Sequence, residues 1–187
     1  MDVLEILNNL QLESNIKLDE IPEIDLYMDQ VIQLFESKLG QQKRKDDEKI
    51  LTKTMINNYA KGKLLLPIKN KKYSKEHIIL MSLIYNLKGA LSINDIKLSL
   101  DEIINKPEEE NYSLRELYSS FLEDCINDEN NFRQDVINKI ENINNKNKEL
   151  NSEFEKRFLL LCSLVNMSNM YRRMSEKLID EFFIEQE

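Results

Sequence analysis

The sequence is short of the residues that usually carry chemistry. Its 187 residues include one histidine, no tryptophan, two cysteines, three glycines and three prolines. The lone His77 sits behind Ser74 and Glu76 at the start of a helical pattern. Without a second His or a Cys at ligand spacing, it points to a helix-end role and not to a metal ligand. Neither of the glycine-rich phosphate loops, Gly-x-Gly-x-x-Gly or Gly-x-x-x-x-Gly-Lys-Ser/Thr, occurs. Asp25 and Asp29 lie one helical turn apart and offer oxygens to a divalent ion, but compensation of a helix dipole accounts for Asp25 more simply. Lacking a paired nucleophile and base, a metal cluster or a cofactor loop, the chain reads as a non-enzyme with no metal and no cofactor.

Long apolar runs are also missing. No stretch approaches the roughly 20 apolar residues of a bilayer span, and MDVLEILNNL has no basic region ahead of its apolar residues, so the expectation is a cytoplasmic protein away from membranes. Cys125 and Cys162 fall inside helical patterns and read as small, reduced core residues. With 41% hydrophobic and 32% charged residues the chain has a globular balance.

What is present is an uneven charge. From Lys49 to Lys75 there are eight lysines and no acidic residue, so this segment is +8 and the remainder sums to -16 against the total of -8. A basic surface on an acidic body suits a single-faced contact with phosphate; a solvated basic loop would have the same composition.

Glycine and proline, being scarce, serve as punctuation. Between Pro22 and Gly40, Ile24, Met28, Val31, Leu34, Phe35 and Leu39 recur at helical spacing. The connector QQKRKDDEK leads to a second helix, LTKTMINNYAKG, with Thr52 as N-cap and Gly62 as terminator. Leu51, Met55, Ile56 and Tyr59 can face inward, leaving Lys53, Thr54, Asn57, Asn58 and Lys61 outside, amides suited to base edges beside lysines suited to phosphates. Lys63 follows. Leu64 to Ile68 and Lys72-Tyr73 read as extended runs around a turn at Lys69, Asn70 and Lys71, a small basic wing. Ser74 then caps a helix through Leu87, and Ser92, three before Asp95, caps another carrying Ile93, Ile96, Leu100, Ile103 and Ile104.

Pro107 and the acidic run after it mark a boundary, giving residues 1–106 as one module and 107–187 as a helical region. Ser113 and Glu116 form a capping box ahead of Leu114 to Cys125, a second helix carries Phe132, Val136, Ile140 and Ile143, and NINNKNKELN makes the next turn. The last helix runs from about Ser152 to Phe183. Its FLLLCSLV is apolar almost all round and is expected to be buried. Leu160, Leu164, Met167, Tyr171, Met174 and Leu178 repeat at alternating steps of four and three, a seam that fits either a homodimer or the chain's own preceding helices.

The stretch from Thr54 to Leu100 resembles the DNA-binding domain of MerR regulators through Ile56, Tyr59, Leu64, Leu65, Pro67, Tyr73, Ser74, Leu91, Ser92 and Ile96. It departs from that pattern at Lys63, where a glycine is usual, and at Asn57 and Asn58, where Arg and Tyr are usual. The helix before is longer, and the connector from Gly40 to Lys49 replaces a tight turn. LYMDQ, LTKTMINNYAK, LLP and KKYSKEHI are similar to a bacterial family known only as domain of unknown function eighteen thirty-six, over Ile21 to Leu100. These resemblances imply a mainly α fold: a MerR-like winged helix-turn-helix with a small β-wing, then a C-terminal helical region ending in a long helix. The expected role is a transcriptional regulator that binds double-stranded DNA, through Lys53, Thr54, Asn57, Asn58, Lys61, Lys63, Lys69, Lys71 and Lys72, as a homodimer. The competing reading is an adaptor that keeps the winged helix but binds a protein partner.

Overall fold

The computed structural model describes residues 3–12, 15–105, 113–146 and 152–183, and it is mainly helical. After helix α1 (Val3–Asn9), the short strand β1 (Leu26–Tyr27) leads directly into α2 (Met28–Leu39). The expected first helix is therefore shorter than its apolar spacing suggested, and Ile24, assigned to its inner face, lies ahead of it and is 72% exposed. The reason is a competing use of the backbone. Leu26 and Tyr27 pair antiparallel with Tyr73 and Lys72 of strand β2 (Lys72–Tyr73), which holds them extended. The helix can start only after them, where the Gln30 side chain accepts the Tyr27 N–H at 2.8 Å.

The later boundaries follow local chemistry. Helix α3 (Lys53–Lys61) starts where Thr52 Oγ1 accepts the Met55 N–H at 3.2 Å. Helix α4 (Lys75–Leu87) follows Ser74, and α5 (Ile93–Asn105) starts where Ser92 and Asp95 exchange side chain to backbone hydrogen bonds in both directions. The α4 run HIILMSLI is buried on every side. Around it lie Val31, Phe35 and Leu39 of α2, Ile56 and Tyr59 of α3, Leu64 and Leu65 of the following loop, and Ile96 and Leu100 of α5, in one continuous core.

Helix α6 (Leu114–Lys146) is a single helix of 33 residues, not two. No Gly or Pro interrupts it, and Arg133 bridges to Glu129 one turn back at 2.7 Å, across the place where a break was expected. Its first turns join the core. Tyr118 is fully buried and donates to the Ile16 carbonyl at 2.7 Å, and burial pushes its phenol up to about 12. Arg115 meanwhile holds Glu76 of α4 at 2.8 Å and Glu23 at 3.1 Å. Further along, Arg133 donates to the Leu7 carbonyl at 2.9 Å and so docks the end of α1. The boundary at Pro107 falls outside the described residues, as does most of the turn expected at NINNKNKELN, whose first five residues continue α6.

Helix α7 (Glu153–Phe182) touches both α6 and α5. Its FLLLCSLV run is not buried as expected: Leu160 is, but Phe158, Leu159, Leu161, Cys162 and Val165 face solvent. The layer beneath it covers one side only. The cysteines are free thiols, as reduced residues would be, but neither is a core residue: Cys125 of α6 is half-buried and Cys162 exposed. No helix among the described residues is long and apolar enough to cross a membrane.

Candidate nucleic-acid interface

Helix α3 lies against the module through Ile56 and Tyr59, which are buried, with Met55 half-buried beside them. This inward stripe forces the intervening positions outward, and Lys53, Thr54, Asn57, Asn58 and Lys61 are all exposed. The five residues therefore share the outer face of one short helix.

The helix closes with a backbone conformation that its sequence does not favour. The Leu64 N–H donates to the Tyr59 carbonyl at 2.9 Å and the Lys63 N–H to that of Ala60 at 3.2 Å, the paired bonds of a Schellman cap. That motif needs a left-handed residue just past the helix, where glycine is the usual choice. Here it is Lys63, at φ 59°. Gly62, one position earlier, has an ordinary helical φ of -72°. Its role is steric, because a Cβ there would come within 3.1 Å of both the Asn58 carbonyl and the Leu64 side chain.

A second left-handed pair forms the turn. Asn70 and Lys71 have φ of 53° and 58°, and the Lys72 N–H donates to the Lys69 carbonyl at 3.0 Å. Two consecutive positive φ values are the mark of a type I′ turn, which favours Asn first and Gly second. This chain puts lysine in the glycine position. The turn falls where the wing was expected, but the strand partner differs: β2 pairs with β1, far upstream along the chain, and Leu64 to Ile68 forms no strand. Only an isolated bridge between Lys69 and Lys72 closes the tip. Leu64 and Leu65 belong instead to the core.

The lysines are not equivalent. Lys61, Lys63, Lys69 and Lys71 are exposed. Lys53 reaches Asp29 at 2.8 Å, both side chains remaining well exposed, and Lys72 lies half-buried with its ammonium 5.3 Å from the Tyr27 ring centre. Lys75 is buried and bonded to Glu23 at 2.6 Å, so it serves the fold and not the surface. The hydrogen bond from Lys75, reinforced by Arg115, holds Glu23 below the usual carboxylate range. The +8 of the segment overstates what it presents outside.

His77 fixes the turn segment to α4. Its Nδ1 accepts the Ser74 N–H at 3.1 Å, and its Nε2 lies 3.1 Å from the Leu66 carbonyl, an arrangement satisfied by the neutral ring with its proton on Nε2. Burial pushes its pKa down. Among the described residues no cluster of three or more His, Cys, Asp or Glu side chains could hold a metal ion, and Asp29 of the acidic pair is engaged by Lys53. The network of Arg115, Glu23, Glu76 and Lys75 leaves no signal in the sequence; its members are 92, 39 and 52 positions apart in their pairings.

The second expected site, the seam of α7, is divided. Leu160 is buried and Leu164 and Met167 half-buried, whereas Tyr171, Met174 and Leu178 are exposed. Past Met167 the covered side moves round to Ser175 and Ile179.

No curated protein and no solved structure matches the chain. Residues 16–121 match a family profile, a span that includes α2 to α5, the basic turn and the first turns of α6 that close the core. The chain belongs to the family described as Domain of unknown function (DUF1836).

Proposed function

We propose that residues 26–73 form a winged helix-turn-helix that binds double-stranded DNA as part of a transcriptional regulator. Helix α3 faces the major groove and the Asn70-Lys71 turn reaches a flanking phosphate. The observation that carries this reading is the exposure of Lys53, Thr54, Asn57, Asn58 and Lys61 on one helix face, beside a lysine turn, within the stretch from Lys49 to Lys75 that has no acidic residue.

Backbone strain supports it. A non-glycine residue in the left-handed region costs roughly 1–2 kcal/mol, and Lys63 and Lys71 both stand there. Glycine would relax either position, so a lysine is accounted for by what its side chain contacts. Such outliers gather at functional sites.

The test is fluorescence anisotropy of a labelled random-sequence duplex at increasing salt. Affinity should fall steeply, with a log–log slope of about 0.9 for each phosphate contacted. Replacing Lys69 and Lys71 with Ala should weaken binding to every sequence and flatten that slope. Replacing Asn57 and Asn58 with Ala should instead narrow the gap between a selected site and random DNA, by roughly 1–3 kcal/mol for each base no longer read. A wild-type protein with no salt-sensitive DNA binding would end the proposal. A second reading, a protein-binding adaptor, is favoured by the neutralisation of Lys53 by Asp29, which makes the α3 face less positive than its composition.

A further inference from the structure

We propose that the open side of the first two thirds of α7 is the interface for a second copy of this chain, two α7 helices pairing antiparallel through Phe154, Phe158, Leu161 and Val165. These four follow steps of four, three and four, so they form one stripe. It lies on a different side from Leu160, Leu164 and Met167, which face the chain's own body. The stripe residues are 75%, 54%, 57% and 52% exposed, and the rings of Phe154 and Phe158 stack on each other with centres 6.3 Å apart, with no covering layer among the described residues.

The area is large for a free surface. Full aromatic side chains present about 150–250 Å² each, so the four residues together leave on the order of 400 Å² of apolar surface open. Contiguous patches of that size on soluble proteins mark interaction sites. With the polar residues that flank the stripe, a pair of such helices approaches the roughly 800 Å² per partner of a stable interface.

The charges select a second copy as the occupant, and they select its direction. Helix α7 is acidic in its first turn, at Glu153 and Glu155, and basic about five turns later, at Arg172 and Arg173. In an antiparallel pair centred between Leu161 and Val165, Leu161 of one copy meets Val165 of the other, and Phe158 meets Ser168. Glu155 then lies alongside Arg172 and Arg173 of the other copy, whereas Glu153, two turns before Leu160, lies on the side of the chain's own body and bonds Lys156 at 3.4 Å. Twofold symmetry repeats the match at the opposite end, so a single surface complements itself. A parallel pair would set Glu against Glu. Beyond Arg173 the stripe turns towards the body, where Ile179 is buried, and this limits the contact to the first two thirds of the helix. The interface differs from the Leu160 to Leu178 seam and does not depend on DNA binding.

Light scattering at high micromolar concentration should give twice the 22.2 kDa chain mass. Changing Phe158→Asp together with Leu161→Asp should weaken association by at least about thirtyfold, the effect of removing one buried anchor, while Tyr171→Ser with Met174→Ser, which adds no charge beside Arg172 and Arg173, should leave it unchanged. The exposed Cys162 lies next to Leu161, close to the proposed twofold, and supplies a second measurement that needs no disruptive variant. In a Cys125→Ser background a short bismaleimide should link two chains, and Cys162→Ser should abolish the link. A monomeric wild type, an intact dimer after the Phe158 and Leu161 changes, dissociation by the Tyr171 and Met174 changes alone, or failure of Cys162 to cross-link would each overturn the proposal. If the aspartate variant loses its helicity, the cross-linking decides.

Discussion

Helices α4 and α7 each carry an apolar run of eight residues, HIILMSLI in one and FLLLCSLV in the other. The first is buried throughout. In the second only Leu160 is. Composition is nearly the same, so the difference lies in what surrounds each helix. Around α4 stand α2, α5, α6 and the loop of Leu64 and Leu65, whereas α7 rests on α6 and α5 along one side. An apolar run states what has to be covered, and its neighbours decide how much is covered within one chain.

The widest test of this comparison is to remove the same side chain from both runs. Leu80 of α4 is wholly buried and Leu161 of α7 is 57% exposed. Leu80→Ala should cost roughly 2–5 kcal/mol, the transfer and cavity terms together. Leu161→Ala should stay within about 0.5 kcal/mol in dilute solution, as for other exposed positions. Urea melts at two protein concentrations extend the test. If α7 pairs with a second copy, the Leu161→Ala effect should grow with concentration by mass action, while that of Leu80→Ala should not.

The parts of the fold that are legible in the sequence are those that local chemistry decides. Thr52, Ser74 and Ser92 open helices, and Ser113 accepts the Glu116 N–H at 3.3 Å, because an orphan N–H needs a nearby oxygen whatever the rest of the chain does. The outer face of α3 is legible for a similar reason, since burying Ile56 and Tyr59 fixes where Asn57 and Asn58 point. Distant pairing is not legible. Nothing near Leu26 announces Tyr73 as its partner, so apolar spacing alone places Ile24 in a helix that the pairing forbids. Nor does the lysine count reveal that Lys75 is buried against Glu23 or that Lys53 meets Asp29. The glycine missing at position 63 is visible in the sequence as a departure from a pattern, but its meaning, a lysine at φ 59°, requires the backbone.

Acid should weaken the core around α4, which His77 ties to the Leu66 carbonyl. Burial lowers the pKa of His77 from 6.5 in the folded chain, so between those two values the unfolded chain binds a proton that the folded one refuses. The stability tied to the neutral ring is therefore fully present above 6.5 and is lost as pH falls below it towards the folded pKa. Protonation would also place a proton on Nδ1, which accepts the Ser74 N–H. Melting temperatures followed by tyrosine fluorescence should drop as pH falls below 6.5, before the range where carboxylates lose their charge. His77→Gln, whose amide can both accept and donate, should flatten that drop. An unchanged slope in the variant would assign the acid sensitivity to another group.

A small expected effect bears most directly on function. Lys63→Gly and Lys71→Gly each remove the left-handed penalty of roughly 1–2 kcal/mol, but each also frees the unfolded chain, at a cost of about 0.5–1 kcal/mol. The net change should be a stabilisation of about 0.5–1 kcal/mol per site, because the larger of the two opposing terms is the strain. The same substitutions delete two exposed cations from the α3 cap and the turn, so DNA affinity should fall and its salt slope should shrink by about 0.9 for each phosphate left unneutralised. Stability and binding would then move in opposite directions, which distinguishes a lysine that serves a ligand from one that is neutral to it. Urea denaturation and anisotropy on the same preparations measure both. If the glycine variants are more stable and bind DNA as the wild type does, the two lysines touch no phosphate, and the proposed interface contracts to the face of α3 itself.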